Sequence, residues 1–275
     1  LFYHSKVMLE SGKKYRYNIY VGKERLELVS TSISAWETGT SDGGEAGMMR
    51  QVDLSGGEYT IADDGVYCVS GESKYHSLII KGSPTVYLVD ATIESGSDWS
   101  PIHVVSGNPV IVLVGTNRLT GRGYYSGLYY KPGCKVTLRG EGKLIAEGAW
   151  GAGIGSYMVN PAGDLVIESG TIEATGGVGN QGYAAGIGGS GDYGCGSITI
   201  TGGKVTARGS DGAAAIGAGK NGPCSSIVLE NCEIHVPGDG KGGLSGENGI
   251  VAGSVVPDLS DGEEMREKGV RVEGI

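Results

Sequence analysis

One pattern of alternating apolar and polar residues recurs in Lys135-Val-Thr-Leu-Arg139, Ser197-Ile-Thr-Ile-Thr201 and Ser226-Ile-Val-Leu-Glu230. This alternation is typical of a short β-strand with one buried face. A second alternating strand follows each of them after a glycine or asparagine: Lys143-Leu-Ile-Ala146, Lys204-Val-Thr-Ala207 and Glu233-Ile-His-Val236. A third segment comes after a loop: Ala152-Gly-Ile-Gly155, Ala185-Gly-Ile-Gly188 and Ala214-Ala-Ile-Gly217. The chain therefore repeats a three-part unit.

The repeat extends along most of the chain, as one apolar position of the first strand shows. That position is occupied in successive repeats by Leu88, Leu113, Leu138, Ile167, Ile200 and Leu229. Three short strands joined by loops of variable length predict one triangular coil of a parallel β-helix, in which stacked coils create the core. We expect an all-β fold of about seven coils, right-handed because parallel crossovers have that hand. A β-propeller is the alternative, but its blades need four antiparallel strands of similar length.

Two stretches of the repeat are harder to place. Between residues 76 and 93, both Ser77-Leu-Ile-Ile80 and Thr85-Val-Tyr-Leu-Val89 fit the first strand of a coil, and the proline before the latter favours it. Nearer the N-terminus, we interpret Tyr59-Thr-Ile61 and Val66-Tyr-Cys-Val69 as the second and third strands of a first coil.

Composition restricts the classes of function. Glycine supplies 53 of the 275 residues without a collagen-like period, which fits tight corners between stacked strands. The formal net charge is −9, so extended contact with nucleic acid is disfavoured. No apolar run has the length of a membrane-spanning helix, and no motif indicates a cofactor. The chain opens at Leu1 without a signal peptide or an initiator Met, so we expect a cut or processed fragment.

The N-terminal 38 residues differ from the repeat. Ser11-Gly-Lys-Lys-Tyr-Arg-Tyr-Asn-Ile-Tyr-Val21 alternates with the period of a strand, and Arg25-Leu-Glu-Leu-Val29 after it predicts an antiparallel hairpin. With Ile33-Ser-Ala-Trp-Glu-Thr-Gly39, this segment resembles the closing strands of the fimbrillin-like family of bacterial surface pilins and adhesins, although the first part of such a domain is missing. The resemblance implies that residues 1–38 are the C-terminal strands of a β-sandwich, exported to the bacterial cell surface. It identifies no ligand.

The domain organisation follows from the change in pattern. Residues 39–50, rich in glycine, serine and threonine at their start, have the composition of a flexible linker. Residues 51–275 form the predicted β-helix. Near its end, Ser260-Asp-Gly-Glu-Glu-Met-Arg-Glu-Lys268 predicts a short helix, which we expect to cap the open end of the solenoid.

The repeat region resembles the glycine-rich parallel β-helix modules of bacterial surface proteins, which carry a recurring Ala-Gly-Ile-Gly-Gly sequence. Ala185-Gly-Ile-Gly-Gly189 is the complete copy in this chain. Pectate-lyase-like proteins share the architecture and include lyases, glycosidases and adhesins. The resemblance therefore implies a fold and an extracellular setting, but it does not decide an activity.

Aromatic residues provide the strongest candidate for a binding site. The same corner of four successive coils carries a large aromatic residue: Trp99, Tyr125, Trp150 and Tyr183. Sugar rings stack on flat aromatic faces, and four polar residues lie nearby to hydrogen-bond hydroxyl groups: Asp98, Arg122, Glu147 and Gln181. The alternative is that these rings stack on each other and only seal the corner, since aromatic pairs attract one another.

Catalytic and metal sites have little support in the sequence. Glycoside hydrolysis needs two carboxylates about 5–9 Å apart, and the matched pair Glu168 and Glu230 lies two coils apart. The histidines lack metal-binding spacing, and we expect His103 to be a solvated surface residue. We therefore assign no catalytic residue and no metal site, and an enzymatic activity stays open but is not our expectation.

The five cysteines contain no CxxC pair, so a zinc site is not expected. Cys195 and Cys224 each lie three residues before an inward isoleucine and should stack in adjacent coils. Their expected separation lies within the range of a disulfide. Two stacked free thiols are the alternative, and the sequence does not decide between them.

These observations predict a secreted, cell-surface adhesin-type protein that binds a glycan, or another ligand of a host or bacterial surface, through the stacked aromatics. The alternatives are a carbohydrate-active enzyme, either a polysaccharide lyase or a glycosidase, and the structural stalk of a surface adhesin. An apolar ladder on the outer face predicts self-association or a pilus partner. Its members are Tyr87, Val112, Thr137, Val166, Thr199 and Val228.

Overall fold

The computed structural model describes residues 13–21, 26–35, 49–96, 99–178, 183–210, 212–236 and 250–273. The chain divides into two compact units, Leu1–Ala46 and Gly47–Ile275. In the first unit, strand β1 (Lys13–Val21) pairs antiparallel with β2 (Leu26–Ala35), which confirms the predicted hairpin. The predicted linker falls on residues that lie outside the described ranges, apart from Met49 and Arg50.

The second unit is a parallel β-helix with three faces. The first face consists of β3 (Arg50–Asp53), β5 (Val66–Lys74), β7 (Thr85–Glu94), β9 (Val110–Val114), β12 (Lys135–Gly140), β15 (Asp164–Ile167), β18 (Cys195–Ile200), β21 (Cys224–Leu229) and β24 (Val255–Val256). The second face consists of the last residues of β5 and β7, then β10 (Thr116–Thr120), β13 (Lys143–Glu147), β16 (Thr171–Thr175), β19 (Lys204–Arg208), β22 (Glu233–His235) and β25 (Arg271–Glu273). The third face consists of β4 (Tyr59–Ile61), β6 (Leu78–Lys81), β8 (Ile102–Ser106), β11 (Leu128–Tyr130), β14 (Ile154–Gly155), β17 (Ile187–Gly188), β20 (Ile216–Gly217) and β23 (Ile250–Val251).

Within each face, neighbouring strands pair in parallel, and the inward residues form one continuous apolar core. Coils with a strand on all three faces run from the one that begins with β5 to the one that ends with β23, and there are seven of them among the described residues. Incomplete coils precede and follow them. The predicted parallel β-helix and its size are therefore confirmed.

The N-terminal coil differs from the prediction by one place. Tyr59–Ile61 lies on the third face and Val66 begins the next first-face strand, whereas the sequence pattern placed them second and third. A 3-10 helix, Leu54–Gly56, occupies the second-face position. Asp53 Oδ1 accepts a hydrogen bond from Ser55 N at 3.0 Å, so a side-chain-capped turn, rather than a strand, passes this corner.

The observed pairing departs from the predicted first-strand ladder at one place, between β9 and β12. Leu138 pairs with Ile111, and Gly140 pairs with Leu113, so the predicted neighbours Leu113 and Leu138 are wrong by two residues. Both Ile111 and Leu113 point inward, and a shift of two keeps every side chain on its own face, so alternation alone could not detect it. A Cβ atom at Gly140 would lie 2.4 Å from the carbonyl oxygen of Leu113, which explains glycine at this rung.

Residues 76–93, whose assignment was ambiguous from the sequence, follow the favoured alternative. Thr85–Glu94 begins on the first face, because Leu88 pairs with Leu113, and Leu78–Lys81 forms a third-face strand. At the far end, helix α1 (Gly262–Glu267) begins after Asp261, whose Oδ1 accepts hydrogen bonds from the amides of the first turn. Met265 of this helix packs against the hydrophobic core. The helix lies inside the segment predicted for it.

Cys195 and Cys224 lie opposite each other in the β18–β21 pair, with Cα atoms 4.4 Å apart, and form a disulfide. The predicted stacking of these two cysteines in adjacent coils is therefore correct. The sequence left open a disulfide or two free thiols, and the structure contains the disulfide. The other three cysteines, Cys68, Cys134 and Cys232, are free and buried.

Candidate functional site

The corner between the second and third faces carries a row of aromatic side chains. We call them the aromatic corner: Tyr75, Trp99, Tyr124, Tyr125, Trp150 and Tyr183. Strand register aligns them, because Leu78 pairs with Ile102 and Ile102 pairs with Leu128. Ser100 and Ser126, the residues that follow Trp99 and Tyr125, have Oγ atoms 3.0 Å apart. The coils therefore stack in register at this corner.

Three of these rings are exposed in three successive coils. The exposed fractions are 64% for Tyr75, 39% for Trp99 and 47% for Tyr124. Tyr75 was not a candidate from the sequence, because the register of residues 76–93 was ambiguous. The signal for it was the offset of three residues before Leu78, the same offset that Trp99 has before a third-face strand.

The other aromatic residues predicted from the sequence are half-buried. The ring of Tyr125 lies 5.0 Å from that of Tyr157, and the ring of Trp150 meets that of Tyr124 edge-on at 4.8 Å. The ammonium nitrogen of Lys220 lies 4.4 Å from the centre of the Tyr183 ring. Partial packing of this kind leaves part of each ring accessible, so the prediction that these residues bind a ligand stays open.

The two acidic residues predicted for the site have different outcomes. Asp98 lies outside the described residues. Glu147 ends β13 on the outer surface, where its Oε1 atom is 3.4 Å from Nη1 of Arg118. This ion pair holds the Glu147 carboxylate at the edge of the second face, three residues before Trp150.

Arg122, which was a candidate hydrogen-bonding partner of a sugar from the sequence, lies among the exposed rings. Arg122 lies in a turn, in which its carbonyl oxygen accepts a hydrogen bond from Tyr125 N at 3.1 Å. Its Nε atom donates to Oε1 of Glu94 at 2.7 Å, and its guanidinium carbon lies 5.7 Å from the centre of the Tyr75 ring. Arg122 therefore connects its own coil with the two preceding coils and presents charged hydrogen-bonding groups beside the exposed rings.

The exposed Trp99 ring rests on a buried aromatic layer on the outer side of part of the third face. Trp99 meets the imidazole of His103 nearly at right angles, with ring centres 4.6 Å apart. His103 contacts Tyr129 at 4.8 Å, and Tyr129 contacts Tyr157 at 4.6 Å. The Tyr129 hydroxyl donates to the carbonyl of Pro161. Edge-to-face contacts of this kind stabilise each ring by roughly 1 kcal/mol, so Trp99 is held in place before any ligand arrives.

The expectation that His103 is solvated is wrong. Its side chain points outward from the coil, but it is fully buried in contact with the rings of Trp99 and Tyr129, and neither ring nitrogen has a hydrogen-bond partner. Burial, reinforced by the positive charge of Lys131, lowers the pKa of His103 to about 4. The imidazole is therefore neutral at physiological pH and serves as part of the aromatic layer.

Acidification is expected to destabilise the β-helix through His103. Because its pKa falls from 6.5 in the unfolded chain to about 4 in the folded one, the unfolded state binds the proton first. The neutral imidazole of His103 therefore contributes its full stabilisation above pH 6.5. As the pH falls towards 4, the free energy of unfolding decreases by at most about 3 kcal/mol. The measurement is the free energy of unfolding in urea at pH 7, 5 and 4. His103→Phe keeps an aromatic ring and should have a shallower pH dependence, and equal slopes for both proteins would contradict the prediction.

Comparison with known families supports the repeat. Residues 136–156, 165–191 and 198–220 match the family model described as Beta helix repeat. Each match spans one coil. These are the coils β12–β14, β15–β17 and β18–β20, which carry the Ile-Gly strands on the third face. Comparisons with curated proteins and with solved structures gave no match.

The described residues contain no arrangement typical of a hydrolytic or metal centre. No Asp or Glu side chain among them is buried, and no group of three or more His, Cys, Asp or Glu residues is placed to hold a metal ion. Glu168 and Glu230 occupy the same column with Thr201 between them, all three exposed. No helix in the described ranges has the length and apolar character of a transmembrane span.

Proposed function

We propose that this chain is the glycan-binding part of a secreted adhesin-type protein of the bacterial cell surface. The observation that supports the proposal best is the exposure of Tyr75, Trp99 and Tyr124 at one corner of three successive coils. Because the coils stack at about 4.8 Å, we expect the three rings to follow one another along this corner as an apolar strip. Soluble proteins rarely leave such strips uncovered without an interaction that uses them.

The chemistry of the strip suits a carbohydrate. The C–H face of a sugar ring packs on an aromatic face, while its hydroxyl groups need charged or polar partners at the rim. Arg122 and Glu94 offer both donors and acceptors there, and their ion pair orients them before binding. A site of this kind binds by stacking and hydrogen bonding without any bond cleavage.

Two further observations support the cell-surface setting. A disulfide such as Cys195–Cys224 persists in oxidising compartments and is rare in the cytosol. In addition, the N-terminal hairpin resembles the closing strands of fimbrillin-like domains, and the glycine-rich coils resemble those of bacterial surface proteins. Both resemblances point to export and to an adhesive setting.

The test is a glycan-array screen of the full chain, followed by calorimetric titration of any hit. We expect Trp99→Ala and Tyr124→Ala each to weaken binding tenfold or more, a loss of at least about 1.4 kcal/mol. Trp99→Phe keeps an aromatic face and should retain most of the affinity. Tyr87→Ala, on the first face, is the matched aromatic control and should leave the affinity unchanged.

Three outcomes would refute the proposal. Silence across the array would favour the structural stalk, in which the aromatic corner only seals the coils. A hit whose affinity is unchanged in Trp99→Ala and Tyr124→Ala would place the glycan elsewhere on the molecule. Cleavage of a bound oligosaccharide, seen by mass spectrometry, would favour the carbohydrate-active enzyme.

A further inference from the structure

The outer surface of the first face carries an unbroken column of β-branched residues. Strand register places them in line: Thr85, Val110, Thr137, Val166, Thr199, Val228 and Val256. This corrects the ladder expected from the sequence, which had Tyr87 and Val112 in place of Thr85 and Val110, because it missed the shift of two residues between β9 and β12. Val228 and Val256 are 36% and 45% exposed, so the column reaches the surface.

Charged residues flank this column in its third and fourth rows. In β12, Lys135 and Arg139 lie on either side of Thr137, and in β15, Asp164 and Glu168 lie on either side of Val166. All four charged side chains are exposed. Although the rows are adjacent, none of the four forms an ion pair within the part of the chain that the structure describes.

We propose that this face packs against the same face of a second copy of the chain, with the two β-helix axes antiparallel. Symmetric dimers bring the same patch of both copies together. A two-fold axis that runs along the strands, midway between β12 and β15, places Lys135 of one copy over Asp164 of the other. The same operation places Arg139 over Glu168. Each pair occurs twice, so four ion pairs frame the apolar column.

Other symmetric arrangements of this face bring like charges together. If the two axes were parallel, Lys135 would face Arg139 of the second copy, and Asp164 would face Glu168. If the two-fold axis passed through a row rather than between rows, the row of β15 would face itself and oppose two Asp164 carboxylates. Like charges placed opposite each other disfavour an interface. The pattern of charge therefore selects the antiparallel arrangement centred between β12 and β15.

The size of the face indicates a weak dimer. In this arrangement six of the seven rows face each other. At about 4.8 Å a row they cover about 29 Å, and three outward columns make a width of about 20 Å. The resulting area of roughly 600 Å² per copy is below the roughly 800 Å² per partner of a standard stable interface. We therefore expect association in the micromolar range, which favours a reversible contact between neighbouring molecules.

The test is sedimentation equilibrium of the full chain over a wide concentration range. The wild type should show a monomer–dimer equilibrium. Lys135→Glu should raise the dissociation constant tenfold or more, because two-fold symmetry turns one substitution into two like-charge contacts. The double variant Lys135→Glu/Asp164→Lys should restore dimerisation, since it exchanges the two charges.

Lys81→Glu provides the control, because Lys81 is an exposed lysine on the third face. It should leave the dissociation constant unchanged, and circular dichroism should confirm that every variant is folded. A wild-type protein that stays monomeric at all concentrations would overturn the proposal. A dimer that the double variant fails to restore would overturn the antiparallel arrangement. Neither result bears on glycan binding, which uses the opposite corner of the coil.

Discussion

Gly188→Ala is expected to lower the free energy of unfolding by about 3–5 kcal/mol, or to prevent folding altogether. Gly188 has a φ of +131°, in the left-handed region that favours glycine. A Cβ atom there would lie 2.1 Å from the carbonyl oxygen of Gly217 in the next coil. That oxygen belongs to a paired backbone, so it cannot move away without breaking the parallel β17–β20 rung.

Gly57→Ala is the matched control for this substitution. Gly57 also has a left-handed φ, +113°, but no atom lies within 4 Å of the Cβ position. Alanine there adds only backbone strain, which costs about 1–2 kcal/mol. The free energies of unfolding of both variants, measured by chemical denaturation, separate the two effects. Gly57→Ala reports backbone strain alone, and the additional loss in Gly188→Ala reports the steric overlap. If both variants lost the same free energy of unfolding, the close approach of Gly188 to Gly217 would not be the reason why position 188 requires glycine.

Removal of the Cys195–Cys224 disulfide has the second large expected effect, a loss of about 3–4 kcal/mol. The bond closes a loop with a sequence separation of 29 residues, and in the chain-entropy account this constraint mainly destabilises the unfolded state. The double variant Cys195→Ala/Cys224→Ala should keep the fold, because small apolar residues also fit two stacked inward positions. Its midpoint of urea denaturation should fall below that of the oxidised wild type.

A reducing agent provides the control for the disulfide. It should lower the denaturation midpoint of the wild type to about that of the double variant and leave the double variant unchanged. The free cysteines Cys68, Cys134 and Cys232 are present in both proteins, so they do not contribute to the difference between the two denaturation midpoints. The prediction requires the disulfide to be present. It would be contradicted if mass spectrometry of the unreduced protein found both thiols free.

The aromatic corner shows how far sequence patterns lead to a site. Trp99, Tyr125, Trp150 and Tyr183 could be aligned from their offsets to the third-face isoleucines and leucines. Which rings are exposed could not, because exposure depends on the turn conformation at each corner. The turn at Arg122 leaves Tyr124 in solvent, while the ring of the next residue, Tyr125, packs beside Tyr157.

His103 illustrates the same limit for a buried group. Its position after an inward isoleucine correctly indicates that its side chain leaves the coil. The side chains that cover it, Trp99 and Tyr129, come from its own coil and from the next one. A local pattern describes the direction of a side chain but not the layer that another coil places over it, so the predicted solvent exposure was wrong.

The sequence by itself determined the coil of this protein. Apolar residues with a period of two, interrupted by glycines at a repeating distance, can bury their inward side chains only when coils stack, which makes the parallel β-helix the consistent fold. Only the tertiary structure decided the register between β9 and β12, the cover over His103 and the exposure of Tyr75. These features depend on contacts between coils, and a shift of two residues or a different turn leaves the local pattern unchanged.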